Sequence, residues 1–192
     1  MRYITVMGTQ TYRFKCIVTA LFITVGFSLP VVAQETTLDR LYQELAEADA
    51  ATYMRVEQQI FDEWSKSGSA AMDLLWRRGK DALDENAPDA AVEHFTALID
   101  HAPGFAEGYY GRASAYFTLG LTGPALDDIR QTLALNPRHF EAMRGLAVIM
   151  EEFERPDDAL ELYQLVLEMN PQSAETRDAV ARIELQLEGQ AL

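Results

Sequence analysis

The sequence predicts an all-α fold of three stacked helical hairpins, and three observations carry that expectation. Pro103, Pro137 and Pro171 lie 34 residues apart. Small residues recur at the same interval, at Gly79, Ala113 and Ala147 and again at Ala91, Ala125 and Ala159. Large apolar residues follow the second set at Phe95, Ile129 and Tyr163. A fixed period of this length marks an array of supersecondary units, each unable to bury its apolar face alone.

The chain begins differently from the rest. Residues 1–15 carry Arg2, Arg13 and Lys15 and no acid, and the apolar run CIVTALFITVGFSL follows. PVVAQE comes next, with Val31 and Ala33 as the small residues a signal peptidase accepts. This three-part pattern predicts a signal peptide over 1–33, cleaved before Gln34. The run is short of the roughly 20 residues of a membrane span. An uncleaved inner-membrane anchor is the alternative, and the periplasm the expected destination. Cys16, the single cysteine, lies inside the apolar run. A mature chain would then hold no disulfide and no thiolate metal site.

Residues 34–71 stand outside the period and read as a helical cap. LDRLYQELAEA spaces Leu38, Leu41, Tyr42 and Leu45 for one helix face, and TYMRVEQQIFDEW spaces Tyr53, Val56, Ile60 and Trp64 for another. The expected break falls near Asp49, the expected turn into the first hairpin at SKSGS, and the expected place of the pair is the open end of the array.

Three hairpins follow over 72–105, 106–139 and 140–173. The small columns let two helices approach closely, where bulkier side chains would force them apart. Pro88, Pro124 and Pro156 are expected at the start of the second helix of each hairpin, where the missing N–H is not needed. Asp89, Asp127, Asp157 and Asp158 sit near the same helix starts, favoured there by the helix dipole. Pro137 holds Asn136 extended and ends one repeat, so the next helix can turn back. A last helix, over about 174–187 of the closing segment 174–192, turns Val180, Ile183 and Leu187 inward and Glu175, Asp178 and Glu188 outward, as a solubilising cap should.

These columns resemble the tetratricopeptide repeat (TPR) family, with its small residue in the first helix, Ala and an aromatic in the second, and Pro at the end. The resemblance covers residues 72–171. It departs where Leu75, Tyr109 and Met143 fill a column that is Trp in the family, and where Arg78 and Arg112 fill one that is often Leu. The resemblance implies a TPR superhelix of three helix-turn-helix repeats with helical caps, and an Arg112–Asp128 ion pair within the second repeat.

It also implies a concave groove lined by the first helices. Their inward face holds Asp73, Trp76, Lys80 and Leu83, then Glu107, Tyr110, Ser114 and Phe117, then Glu141, Arg144, Val148 and Glu151. The candidate partner-binding residues are therefore Trp76, Lys80, Leu83, Tyr110, Ser114, Phe117, Arg144 and Val148. Aromatic anchors inside a polar rim suit a peptide hot spot. The rim is mostly acidic, so the expected partner segment is apolar with neutral or basic character. Some TPR domains clamp a C-terminal carboxylate with Lys, Asn and Arg. The matching positions here are Trp76, Lys80, Gly111, Glu141 and Gly145, which do not form that clamp.

The formal charge is −14 and 48% of residues are hydrophobic. Loss of residues 1–33 would remove three basic residues and no acid, moving the charge to −17. That balance argues against nucleic acid, whose phosphates need Lys and Arg, and against anionic lipid. His94, His101 and His139 form no HExxH motif and read as surface or helix-end residues. No nucleophile elbow, phosphate-binding glycine loop or CxxC is present. The expectation is a non-enzymatic adapter without cofactor or metal, binding a protein or peptide, with membrane contact only through an uncleaved leader. The alternatives are a tethered accessory factor of envelope or cytochrome assembly, and a self-associating structural protein.

Overall fold

The structure is a computed structural model that describes residues 36–190. The segment expected to be a signal peptide lies outside the described residues. Nine helices and no strand occur among those described: α1 Thr37–Glu47, α2 Tyr53–Trp64, α3 Ala70–Asp84, α4 Pro88–His101, α5 Ala106–Thr118, α6 Thr122–Leu135, α7 Phe140–Glu152, α8 Pro156–Met169 and α9 Ala174–Gln190. The fold is all-α, as the sequence predicts.

Helices α3 to α8 pair as hairpins α3–α4, α5–α6 and α7–α8. Each hairpin stacks on the next through α4 with α5, α6 with α7 and α8 with α9. The alanines of the second helices, Ala91, Ala125 and Ala159, have no exposed surface. Ala113 and Ala147 are buried across from them. In the first hairpin this closeness is extreme. The Phe95 ring lies against both Gly79 and Gly111, so a Cβ at Gly79 would come within 2.6 Å of it.

The turns within hairpins also keep the period. Asn86, Gly120 and Glu154 follow the first helices at 34-residue spacing, with φ of 57°, 73° and 57°. A left-handed residue reverses the chain there and lets the final carbonyls bond back, as in Ala87 N–H to Ala82 O and Arg155 N–H to Met150 O. Pro88 and Pro156 open α4 and α8 at the first helical position. Pro124 differs slightly from expectation: α6 starts at Thr122, so this proline lies inside the first turn, where its missing N–H is still unneeded.

Helices α1 and α2 form where the sequence places them. Thr36 and Asp39 make a reciprocal capping box at the start of α1. Asp49 breaks the chain by accepting from Ala51 N–H, Thr52 N–H and the Thr52 hydroxyl. Their destination differs from the sequence expectation. The pair does not cover the open face of the first hairpin. Leu41, Tyr42, Leu45, Val56, Ile60 and Trp64 instead form one core with Phe140 and Val166 of the third hairpin. The physical reason is the size of the apolar surface there. Phe140, Met143, Val166 and Met169 offer a wide patch at the edge of the third repeat. On α3 the corresponding end face presents Leu74 among Ala71, Arg78 and Asp81, all exposed. Leu74 stays 42% exposed, although its counterparts Gly108 and Ala142 are buried under a preceding repeat.

The terminal helix α9 runs longer than expected, to Gln190. Ile183 is fully buried, and Val180 and Leu187 pack against the same core as Tyr163.

Two stability predictions test this packing. Ala125→Leu should destabilise the protein by roughly 1–3 kcal/mol, because the helix crossing has no room for added carbons. Exposed Gln131→Leu should stay within about 0.5 kcal/mol. Equal denaturant midpoints for the two would refute the assigned crossing. Glu154→Gly should stabilise by about 0.5 kcal/mol, since glycine adopts the left-handed conformation without a Cβ clash. A loss of stability would show that the turn is not under that constraint.

Candidate functional site

The first helices of the hairpins line a recessed face with three cavities in series. The first, about 390 Å³, lies between the end of α2, α3 and α5, with Phe95 and Gly111 at its floor. The second, about 260 Å³, lies between α5 and α7. The third, about 430 Å³, lies between α7 and α9. All eight sequence-predicted groove residues line these cavities. Trp76, Lys80, Leu83, Tyr110 and Ser114 face the first. Tyr110, Ser114, Phe117 and Val148 face the second. Arg144 and Val148 face the third.

Their exposure differs. Phe117 is 37% exposed, whereas Tyr110 is half-buried, with its ring 4.6 Å from that of His139. Burial pushes the Tyr110 phenol well above its ordinary range, and nearby Glu141 adds to the effect. The cations are engaged. Lys80 pairs with Asp84 at 3.2 Å. Arg144 is bound by Glu141 and Glu175 together. Arg112 and Asp128 form the ion pair that the TPR resemblance implies, with contacts of 2.7 and 2.9 Å, and Thr96 accepts a further bond from Arg112. The hydrogen bond to Asp128 raises the Arg112 guanidinium further above its ordinary value.

Sequence reasoning missed one wall of the site. Gln58, Phe61, Asp62 and Trp64 of α2 also line the first cavity. A buried network seats this helix. The Trp64 ring stacks on His139 at 4.2 Å and contacts Phe140 at 4.9 Å. Its Nε1–H donates to the Tyr42 hydroxyl, which donates to Arg138 O. Arg138 lies over the Tyr42 ring and pairs with Asp39 at 2.6 Å. Bonds from Thr36, then from Arg138, hold the Asp39 carboxyl down at about 2.

His139 was expected at a surface or a helix end. It is at a helix end but fully buried. Its Nδ1 accepts from Ala142 N–H, capping α7. The ring proton therefore sits on Nε2, which donates to Glu107 at 2.8 Å. The position two residues after Pro137 and just before an apolar helix was the available signal. Among the described residues, no group of His, Cys, Asp and Glu is placed to hold a metal ion, and no helix is long and apolar enough to cross a membrane.

Comparison with known proteins fits this geometry. The profile described as tetratricopeptide repeat matches residues 77–123 and 123–174, just over half the chain. The chain belongs to the tetratricopeptide repeat family. A TPR repeat-containing protein of Rhizobium etli is 29% identical over 153 residues, which are 79% of this chain and 75% of that protein. Hsp70-Hsp90 organizing protein 2 of Arabidopsis thaliana is 30% identical over 105 residues, 55% of this chain but only 18% of that longer protein. Among solved structures, the first TPR of Spaghetti (RPAP3) bound to the Hsp90 peptide SRMEEVD is similar, at 25% identity and a TM-score of 0.58. The match covers 61% of this TPR chain and 93% of that one.

Two predictions concern the α2 wall. Trp64→Ala should speed amide exchange across α1 and α2 at least tenfold while α5 and α6 change little, because Trp64 joins the pair to the third repeat. Uniform acceleration would mean that the array folds only as one unit with the pair. The second prediction concerns Glu57, which accepts from Asn170 Nδ2 at 2.8 Å. Burial, and then Glu141, push its carboxyl above the ordinary range. A carboxyl with a raised folded-state pKa contributes stability below its unfolded value and loses it as pH rises through the folded value. Glu57→Gln should therefore raise the melting temperature at neutral pH, with the gain fading as pH falls toward about 4. A pH-independent difference would exclude this origin.

Proposed function

We propose that this TPR protein is a non-enzymatic adapter that holds an extended peptide or a helix of a protein partner along the face lined by α3, α5 and α7. One observation carries the reading: eight side chains, spaced for it on the first helices of three successive hairpins, line three cavities in series. Cavities with apolar floors and polar rims suit side-chain anchors of a bound segment. The similar Spaghetti domain holds a peptide, which supports the same use of the fold here. The array offers no assembled nucleophile and base, so binding rather than catalysis is the reading its chemistry favours.

The proposed place of action is the periplasm. Support comes from the basic start, the apolar run and the Val31 and Ala33 pattern. The Rhizobium etli relative fits a bacterial setting. Retention of the leader would make the same adapter a membrane-tethered factor. A second reading, self-association, is favoured by Leu74 and Leu185, which are 42% and 71% exposed near opposite ends of the array.

Phe117→Ala tests the groove. Partner capture from envelope extract should fall at least about fivefold, near 1 kcal/mol, with helix content unchanged by circular dichroism. Equal capture would place binding on another face. Sequencing of the protein from periplasmic extract should find Gln34 first, whereas an intact Met1 in membranes would favour the tethered form. Light scattering that reports stable oligomers would favour self-association.

A further inference from the structure

We propose that the first cavity takes the arginine side chain of the partner segment, so that this TPR groove selects cationic rather than acidic peptides. The inference rests on the peptide-binding reading and adds the chemical class of its ligand. The cavity is lined by four carboxylates, Asp62, Asp84, Glu107 and Glu141, against one ammonium, Lys80. Lys80 is already held by Asp84. His139 adds no positive charge while it caps α7, because its Nδ1 must keep a lone pair for Ala142 N–H. Glu107 consequently accepts a hydrogen bond from a neutral imidazole in a mostly buried position.

The apolar lining is aromatic. Trp76, Tyr110 and Phe61 share the cavity with the carboxylates, above the Phe95 ring. Cations are attracted to such ring faces, more so where water is partly excluded. A guanidinium fits both features together, since it stacks flat on a ring and presents a fork of donors to carboxylates. The volume, about 390 Å³, falls within the roughly 300–1,000 Å³ common for ligand pockets and accommodates one long side chain. Among the described residues, two of these acids have no cationic partner: the Asp62 carboxylate, which accepts only from Gln58, and Glu107, which accepts from His139. They stand on α2 and α5, so a bound cation would bridge the N-terminal pair and the array. The peptide held by the Spaghetti domain, SRMEEVD, carries three acids among its last four residues. Such a segment would be repelled here.

The test uses the purified full chain and a random twelve-residue peptide library displayed on phage. Enriched peptides should carry arginine beside an apolar residue. Replacing that arginine with uncharged, isosteric citrulline should weaken binding at least tenfold by calorimetry, and Asp62→Lys should do the same. Asp62 is exposed, so the variant should keep its melting temperature. If enriched peptides lack arginine, or if both changes leave affinity within twofold, the arginine site is wrong and peptide binding stands. If no peptide is enriched over the bare support, the adapter reading falls with it.

Discussion

The two helices of each hairpin cross at an alanine with no exposed surface, Ala91, Ala125 or Ala159. Close packing at that point fixes the distance between the helices and therefore the width of every repeat. The rest of the molecule depends on it. A hairpin of fixed width leaves one apolar side open, and the next hairpin must cover it. Regular stacking then brings equivalent positions of α3, α5 and α7 onto one recessed face. Trp76 and Tyr110 become neighbours in space because they are one period apart in sequence. The constraint acts far from the groove, yet it sets which side chains the groove contains.

The N-terminal pair follows different physics. It joins the array through a contiguous apolar patch at the edge of the third repeat, completed by a buried polar chain. Trp64, Tyr42 and the Arg138 carbonyl satisfy one another in order, so burying two polar aromatic tips leaves neither without a partner. The main orphan lies nearby. Asn170 is buried and donates to Glu57, but its Oδ1 has no partner among the described residues. A protonated carboxyl at Glu57 would offer this amide a donor that a carboxylate lacks. That preference has the same direction as the upward push that burial gives Glu57.

The repeating part of the fold was legible because each of its features recurs. Columns such as Ala91, Ala125 and Ala159 report a local geometry common to every hairpin, so three weak signals reinforce one another. The eight groove positions were legible for the same reason: helical spacing within one repeat and the 34-residue period between repeats fix a shared face. The left-handed column is just as periodic in structure but almost silent in sequence. Gly120 and Asn86 suit it, while Glu154 is held there by the helices on either side. The docking of α1 and α2 was not legible at all. Amphipathic spacing shows that a helix has an apolar face, but not which of several surfaces will cover it. His139 was missed on similar grounds, since its burial depends on Trp64, which arrives from 75 residues earlier in the chain.

That arrival changes the electrostatic setting of the groove. A TPR face built from α3, α5 and α7 alone would bring Glu107 and Glu141 to a surface open to solvent, where screening weakens single charges. With α2 in place, the same acids border a partly walled cavity, Asp62 joins them, and Phe61 and Trp64 supply apolar walls. Charge in such a setting acts more strongly on an incoming group. Sequence positions that hold basic clamps in some members of the family here carry Trp76, Gly111 and Glu141, with Lys80 tied to Asp84. The scaffold shared with peptide-holding relatives is thus retained while its electrostatic sign is reversed. The helical pair that belongs to no repeat adds Asp62 to that acidic lining.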